Sequence, residues 1–298
     1  CKWIDTPSQT NGIGARDECR KYNTGTTTVS WLKRQTTPVV ERKLYELSMD
    51  NLAAVKRLVE RVGNLPEPLR MVRLSSDILP VYTEPTFAFF WKRADILDEM
   101  SKKFAEIGDL ARHDNVRLSF HPGQFTVLAS ENADIVSRSI LEFEYHADMA
   151  RMMGYGRTFQ DFKINVHISG KRGPEGIRQA YQRLSPEARN CITIENEENS
   201  WGLADCLSLS YLLPIVLDVH HNWCREGTYL SVNDDNVKRV VDSWRGVRPA
   251  MHYSVSKEEL LPGHCTQTLP DIEVLKSQGI GKQKLRAHSN FYWNTACS

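Results

Sequence analysis

The chain has 298 residues, 41% hydrophobic and 25% charged, the balance of a water-soluble globular protein. Its net charge of +1 excludes the strongly basic composition of a general nucleic-acid binder, and no apolar run approaches the ~20 residues of a membrane span. The 7 cysteines, at 1, 19, 191, 206, 224, 265 and 297, are odd in number, scattered and without a C-x-x-C pair, so they read as reduced thiols. With no targeting signal recognised, the expectation is a cytoplasmic protein, and the start at Cys1 is compatible with a truncated N-terminus.

In chain order, a first strand is expected near Cys1 to Ile4, then a long irregular region over 5–38, rich in Thr, Asn, Gly and Ser. Residues 48–62 have helical spacing, with Ser48 or Asp50 as the cap. A buried strand follows at 69–75, an amphipathic helix at 94–112, a strand at 116–120 and a long helix at 132–153. The alternation continues with a strand at 162–169, helix 174–184, strand 191–196, helix 201–210, strand 213–221, helix 233–244, strand 249–254, helix 270–278 and strand 284–289. Eight strands alternating with helices imply a parallel sheet of the α/β class. The expected fold is one (β/α)8 TIM barrel over residues 1–298, with an incomplete eighth helix.

The ionisable residues fall at one end of these strands. His121, His167, Glu195, Asp218 with His221, His252 and His288 close successive strands, His264 follows the seventh, and Asp77 and Glu84 follow the second. In a barrel those ends converge on one mouth, where this fold carries its chemistry. A single histidine at a strand end is usually an ordinary hydrogen-bonded residue. Here seven of the nine histidines lie on such segments, and only His113 and His146 fall on predicted helices. Imidazoles and carboxylates crowded together are costly to bury, and divalent cations remove that cost. Nitrogen and oxygen ligands without thiolate suit manganese or zinc, and also iron. The candidates outnumber one ion's shell, so two to three ions are expected, manganese foremost. Glu195, in the middle of the strand order, is the natural bridge. Clustered ions suit displacement at phosphorus.

The stretches "RLSSDILP" (73–80), "HPGQF" (121–125), "INVHISG" (164–170), "TIENEE" (193–198), "LDVHH" (217–221), "MHYS" (251–254) and "PGH" (262–264) resemble, in order, those of the UV-damage endonucleases. These are metal-dependent barrel enzymes that nick DNA 5′ to ultraviolet photoproducts, within the superfamily of endonuclease IV and xylose-isomerase-like enzymes. The resemblance implies His121, His167, Glu195, Asp218, His221, His252 and His264 as metal ligands. Glu195, His121 and Asp218 are the residues expected to carry catalysis. It also implies that Gln124 and Phe125 probe the duplex opposite the damage; the usual aromatic is tyrosine, and phenylalanine keeps the stacking face without the hydroxyl.

Three departures stand out. The family has histidine where Glu84 stands and glutamate where His288 stands. Either the two are exchanged and both ligate, or one of them is merely polar. Ala250 replaces a lysine that often precedes the strand-7 histidine. The family's damage-probing residues near the first strand match only loosely to Lys2, Trp3, Tyr22 and Asn23.

The implied partner is double-stranded DNA with UV lesions, bound by a monomer with no membrane contact. Among the basic pairs Lys33–Arg34, Arg42–Lys43, Lys92–Arg93 and Lys171–Arg172, the last follows strand 4 at the mouth and is the best phosphate contact. Two other readings stay open: a metal-dependent sugar isomerase or epimerase, and a relative that binds damaged DNA without cutting it.

Overall fold

In a computed structural model, residues 21–258, 268 and 270–289 are described; the expected first strand, Lys2, Trp3 and His264 lie outside them. Packing divides the chain into two units. One comprises Cys1–Gly123, Leu141–Ile164 and Ser185–Cys191, the other Gln124–Ile140, Asn165–Leu184 and Ile192–Ser298. The five strands are parallel and follow chain order: β1 (Met71–Arg73), β2 (Arg117–Phe120), β3 (Lys163–His167), β4 (Ile192–Glu195) and β5 (Ile215–Val216). Helices alternate with them, as the α/β class requires. No helix among the described residues is long and apolar enough to cross a membrane.

In the first unit, helix begins earlier than the sequence reading has it. Thr28 caps a short helix, Val29–Leu32, and a long one runs Thr37–Gly63 with a proline in its first turn. Pro38 has the φ that a helix start requires, and Val40, Leu44 and Leu47 carry the apolar stripe back from the expected start. Ser48 is therefore no cap: it is buried mid-helix, and its hydroxyl donates to Leu44 O at 2.7 Å. Asp50 likewise lies within the helix. β1 and β2 pair in register Val72↔Leu118, and β2 continues onto β3 through Phe120↔Ile164.

The segment after β1 is tied down by two buried side chains. Tyr145 Oη donates to Ser76 O at 2.8 Å and accepts from Leu79 N at 3.0 Å. His146 meets Glu142 O at 2.7 Å and Ser76 Oγ at 2.9 Å; burial pushes its pKa down to about 4, so it serves as a neutral, structural histidine.

In the second unit, the end of β3 meets β4 through Ile168 N, which donates to Glu195 O at 2.9 Å, and β4 pairs with β5 as Glu195↔Val216. Beyond β5 the expected strands shrink. The strand read over 213–221 stops at Val216, and Val219–Glu226 is helical with Asp218 as its N-cap, its carboxylate accepting from His221 N at 2.8 Å. That capping bond ends the extended run and puts His221 in a helix's first turn. The seventh strand is reduced to one parallel bridge, Asp218↔His252. In place of the eighth, Lys282–Leu285 is helical and His288 bridges Ser256 antiparallel. Lys, Gln and Leu are strong helix formers, and the turn needs only four residues. Ala250 is buried against Val216 and Trp244, so the departure from lysine is filled by apolar packing.

Gly108 is the tightest point of the first unit: a Cβ there would lie 1.9 Å from Met153 O. Gly108→Ala is expected to lower the unfolding free energy by about 1–3 kcal/mol or more through overpacking, read from urea denaturation.

Candidate metal centre

The pairing of β3 with β4 sets up the centre. Glu195, the last residue of β4, is 1% exposed, and its orientation is fixed through its own sheet neighbours. Thr193 and Asn165 lie two residues before Glu195 and His167, and side chains two apart share a sheet face. Thr193 Oγ1 donates to Asn165 Oδ1 at 2.7 Å, and the Asn165 amide donates to Glu195 Oε2. All three are buried. His167 Nε2 stands 3.9 Å from that same Oε2. On the other oxygen, Oε1 is 2.8 Å from His252 Nδ1 and 3.7 Å from His221 Nδ1.

Asp218 and His221 are placed by the helix start. Asp218 Oδ1 caps the helix, while Oδ2 lies 3.8 Å from both His221 Nδ1 and His252 Nδ1. Asn196 holds Asp218 by a reciprocal pair: its Oδ1 accepts from Asp218 N at 2.8 Å and its Nδ2 donates to Asp218 O at 3.0 Å. His221 Nδ1 lies 2.9 Å from Asn196 O. His288 joins from the chain's far end, its ring 5.5 Å from that of His221 and its Nδ1 2.5 Å from Ser254 Oγ. Two groups of three ligand atoms lie within 4.8 Å of one another in this unit: His167–Glu195–His221 and Asp218–His221–His288.

The remaining sequence-derived residues are placed as follows. His121 directly follows β2 in the first unit, half-buried, with Nδ1 3.0 Å from Pro122 O. Glu84 sits on a turn of that unit, accepts from Thr86 Oγ1 at 3.0 Å, and belongs to no such ligand group among the described residues. Tyr22 lies beneath Arg61, 5.1 Å from guanidinium to ring centre. Gln124 and Phe125 form an exposed turn, and Phe125 is 85% exposed. Lys171 pairs with Glu131 at 3.1 Å, and Arg172 precedes the Gly173–Arg183 helix. Their loop is pinned at Gly170 (φ +101°), where a Cβ would meet Ala129 O at 2.4 Å and whose carbonyl accepts from Trp201 Nε1 at 2.7 Å.

The sequence reading missed Asn165, Thr193, Asn196, Glu198 and Arg286. For Asn165 and Thr193 a signal existed: a polar residue two before each candidate ligand in an otherwise apolar strand. Nothing local singles out Arg286, whose role depends on a loop 88 residues away, at Glu198.

The model of the family "UV-endonuclease UvdE" matches residues 15–289, and the chain belongs to that family. It is 30% identical over 220 residues to the putative UV-damage endonuclease of Acanthamoeba polyphaga mimivirus, covering 71% of this chain and 65% of that protein. It is 32% identical over 204 residues to the UV-damage endonuclease of Neurospora crassa, but these are 62% of this chain and 30% of that protein. To the UV DNA damage endonuclease of Bacillus mycoides it is 28% identical, over 81% and 75% of the two chains. The crystal structure of SacUVDE superposes with a TM-score of 0.66 at 24% identity, over 87% of this chain and 84% of that one, which establishes the (β/α)8 barrel fold.

The electrostatics explain what such a donor set calls for. Burial pushes Asp218 up to about 6, and the Glu195 charge adds to this, against the pull of His221. Burial works against charge on His221 too, yet Asp218 and Glu195 together raise it. Carboxylates and imidazoles that hold protons in place of a cation form a set of N and O donors suited to divalent ions. Because Asp218 is raised in the folded state, its contribution to stability is full below about pH 4 and is lost as pH rises through about 6. Asp218→Asn keeps the cap without the charge. In EDTA, its unfolding free energy is expected to match the parent at pH 4. At pH 8 it is expected to exceed the parent by on the order of 2–3 kcal/mol, measured by urea denaturation across that range.

Proposed function

We propose that this chain is the catalytic part of a metal-dependent endonuclease that nicks double-stranded DNA 5′ to ultraviolet photoproducts. The observation that carries this reading is the buried Glu195, ringed by His167, His221 and His252 in a chain of the UV-endonuclease family. The matched relatives named as UV-damage endonucleases support it. The chain spans 65% of the mimivirus relative and 30% of the Neurospora one.

Glu195, Asp218, His167, His221, His252 and His288 would hold two to three divalent cations, manganese foremost and zinc or iron otherwise. The resemblance adds His121, His264 and Glu84 to the proposed set. Cations bound there supply charge to lower the pKa of water and to stabilise the oxygens around a phosphodiester phosphorus. The chain's own residues do the rest. Thr193 and Asn165 lock the Glu195 carboxylate, so its oxygens face the imidazoles without rearrangement. Asp218 is held from both sides by Asn196. Gln124 and Phe125 would support the distorted duplex, Phe125 by stacking with its exposed ring. Lys171 and Arg172 would take backbone phosphates once Lys171 leaves Glu131, a surface pair that is easily exchanged.

Incubation with irradiated and unirradiated supercoiled plasmid tests the activity. Nicking of the irradiated form alone is expected with Mn and none with EDTA; irradiated plasmid left intact with Mn rejects the assignment. Glu195→Gln is expected to abolish nicking and reduce bound manganese, measured by elemental analysis. Asn165→Ala is expected to cost about 10–100-fold in metal affinity or activity. Phe125→Ala should leave the bound metal unchanged and weaken damaged-DNA binding by about 1–3 kcal/mol in a gel-shift titration. Full selectivity in that variant would remove the stacking role.

A further inference from the structure

We infer that Glu198 is a further metal ligand of this centre, shared with His221 and aimed by Arg286. The inference rests on the metal-centre reading above and extends it to a residue outside that ligand set. Its starting point is the tautomer of His221. Nδ1 lies 2.9 Å from Asn196 O, and a carbonyl can only accept, so in the neutral ring Nδ1 carries the hydrogen and Nε2 carries the lone pair. Facing Nε2, at 3.7 Å, is Glu198 Oε2. That distance is too long for a hydrogen bond. It does suit two ligands of one ion, because metal–nitrogen and metal–oxygen bonds of about 2.0–2.2 Å put neighbouring ligand atoms about 3–4 Å apart.

The orientation of the Glu198 carboxylate points the same way. Among the described residues, both of its side-chain donors meet Oε1: Arg286 Nε at 2.8 Å and Asn199 Nδ2 at 3.1 Å. Oε2 is the oxygen turned to the imidazole. Glu198 is only 5% exposed, so this anion has been taken largely out of water. A buried carboxylate facing an imidazole nitrogen calls for a positive charge between them, a proton at low pH or a divalent cation once the ring is neutral. A plain loop staple would not need this arrangement. The loop is already tied by Lys282 Nζ on Glu198 O and by Ser200 Oγ on Ile168 O at 3.2 Å. Arg286 on Oε1 therefore acts as a positioning residue, as the outer partners of metal-bound carboxylates do.

The test uses the full chain, stripped with EDTA and titrated with manganese, with ions counted by elemental analysis after desalting and affinities taken from calorimetry. Glu198→Gln is expected to lose one ion, or to weaken one site at least tenfold, with its stability in EDTA not reduced. Arg286→Gln is expected to keep the ion count and weaken the same site less than Glu198→Gln does. Glu198→Asp, which keeps the charge at shorter reach, is expected to shift the cobalt(II) absorption spectrum of the loaded protein, and it serves if Glu198→Gln fails to fold. Full manganese count and affinity in Glu198→Gln overturns the inference, as does an unchanged cobalt spectrum in Glu198→Asp. Loss of stability in EDTA by Glu198→Gln and Arg286→Gln alike, with metal binding intact, overturns it too and leaves a structural staple. If the parent chain binds no manganese, the metal-centre reading itself fails, a result distinct from any of these.

Discussion

A carboxylate at the end of a buried strand must be matched by positive charge or hydrogen-bond donors, and the second unit is organised around that requirement. Glu195 is 1% exposed, and removing an uncompensated carboxylate from water costs several kcal/mol. The Asn165 amide satisfies one oxygen and His252 Nδ1 approaches the other at 2.8 Å. Asp218 adds a second buried carboxylate, and Glu198 a third. Three anions among several imidazoles form a network that protons balance only over part of the pH range. Divalent cations would balance it throughout the neutral range, which is the physical basis of the metal-dependent activity proposed for this member of the UV-endonuclease family.

The backbone makes this crowding possible. Parallel strands deliver their last residues to the same end, and the Ile168–Glu195 hydrogen bond and the Asp218–His252 bridge bring those residues to neighbouring positions. Asp218 then serves twice. One oxygen caps the following helix and the other faces two imidazoles at 3.8 Å, so the residue that starts the helix also orients the imidazole three positions on. If Asp218 ligates as proposed, its second duty as an N-cap leaves it little rotamer freedom to lose on binding, which favours preorganisation.

The departures from the family pattern have local explanations of unequal depth. Ala250 packs against Val216 and Trp244, so the absence of a lysine there is absorbed by apolar contacts. His288 lies beside His221 and is hydrogen-bonded to Ser254. A third carboxylate, Glu198, stands within 3.7 Å of the same imidazole and supplies negative charge that His288 does not. Glu84 hydrogen-bonds within its own turn, to Thr86.

Much of this was legible in the sequence. Strand–helix alternation gave the fold class, because a parallel sheet requires a crossover between successive strands. The recurrence of His, Glu and Asp at strand ends located the centre, because topology sends those ends to one side. Boundaries were less legible where side chains compete with backbone pairing. The Asp218 cap turned an expected strand into a helix, and the 282–285 segment coiled where an eighth strand was read. Only the tertiary structure could decide which oxygen of each carboxylate faces which imidazole, and that Asn165, Asn196 and Arg286 hold them there. Those choices depend on hydrogen bonds between residues tens of positions apart in the chain. Local sequence carries no record of such distances, whereas the periodicity that it does carry fixed the class of fold and the strand-end residues supplied the candidate ligands.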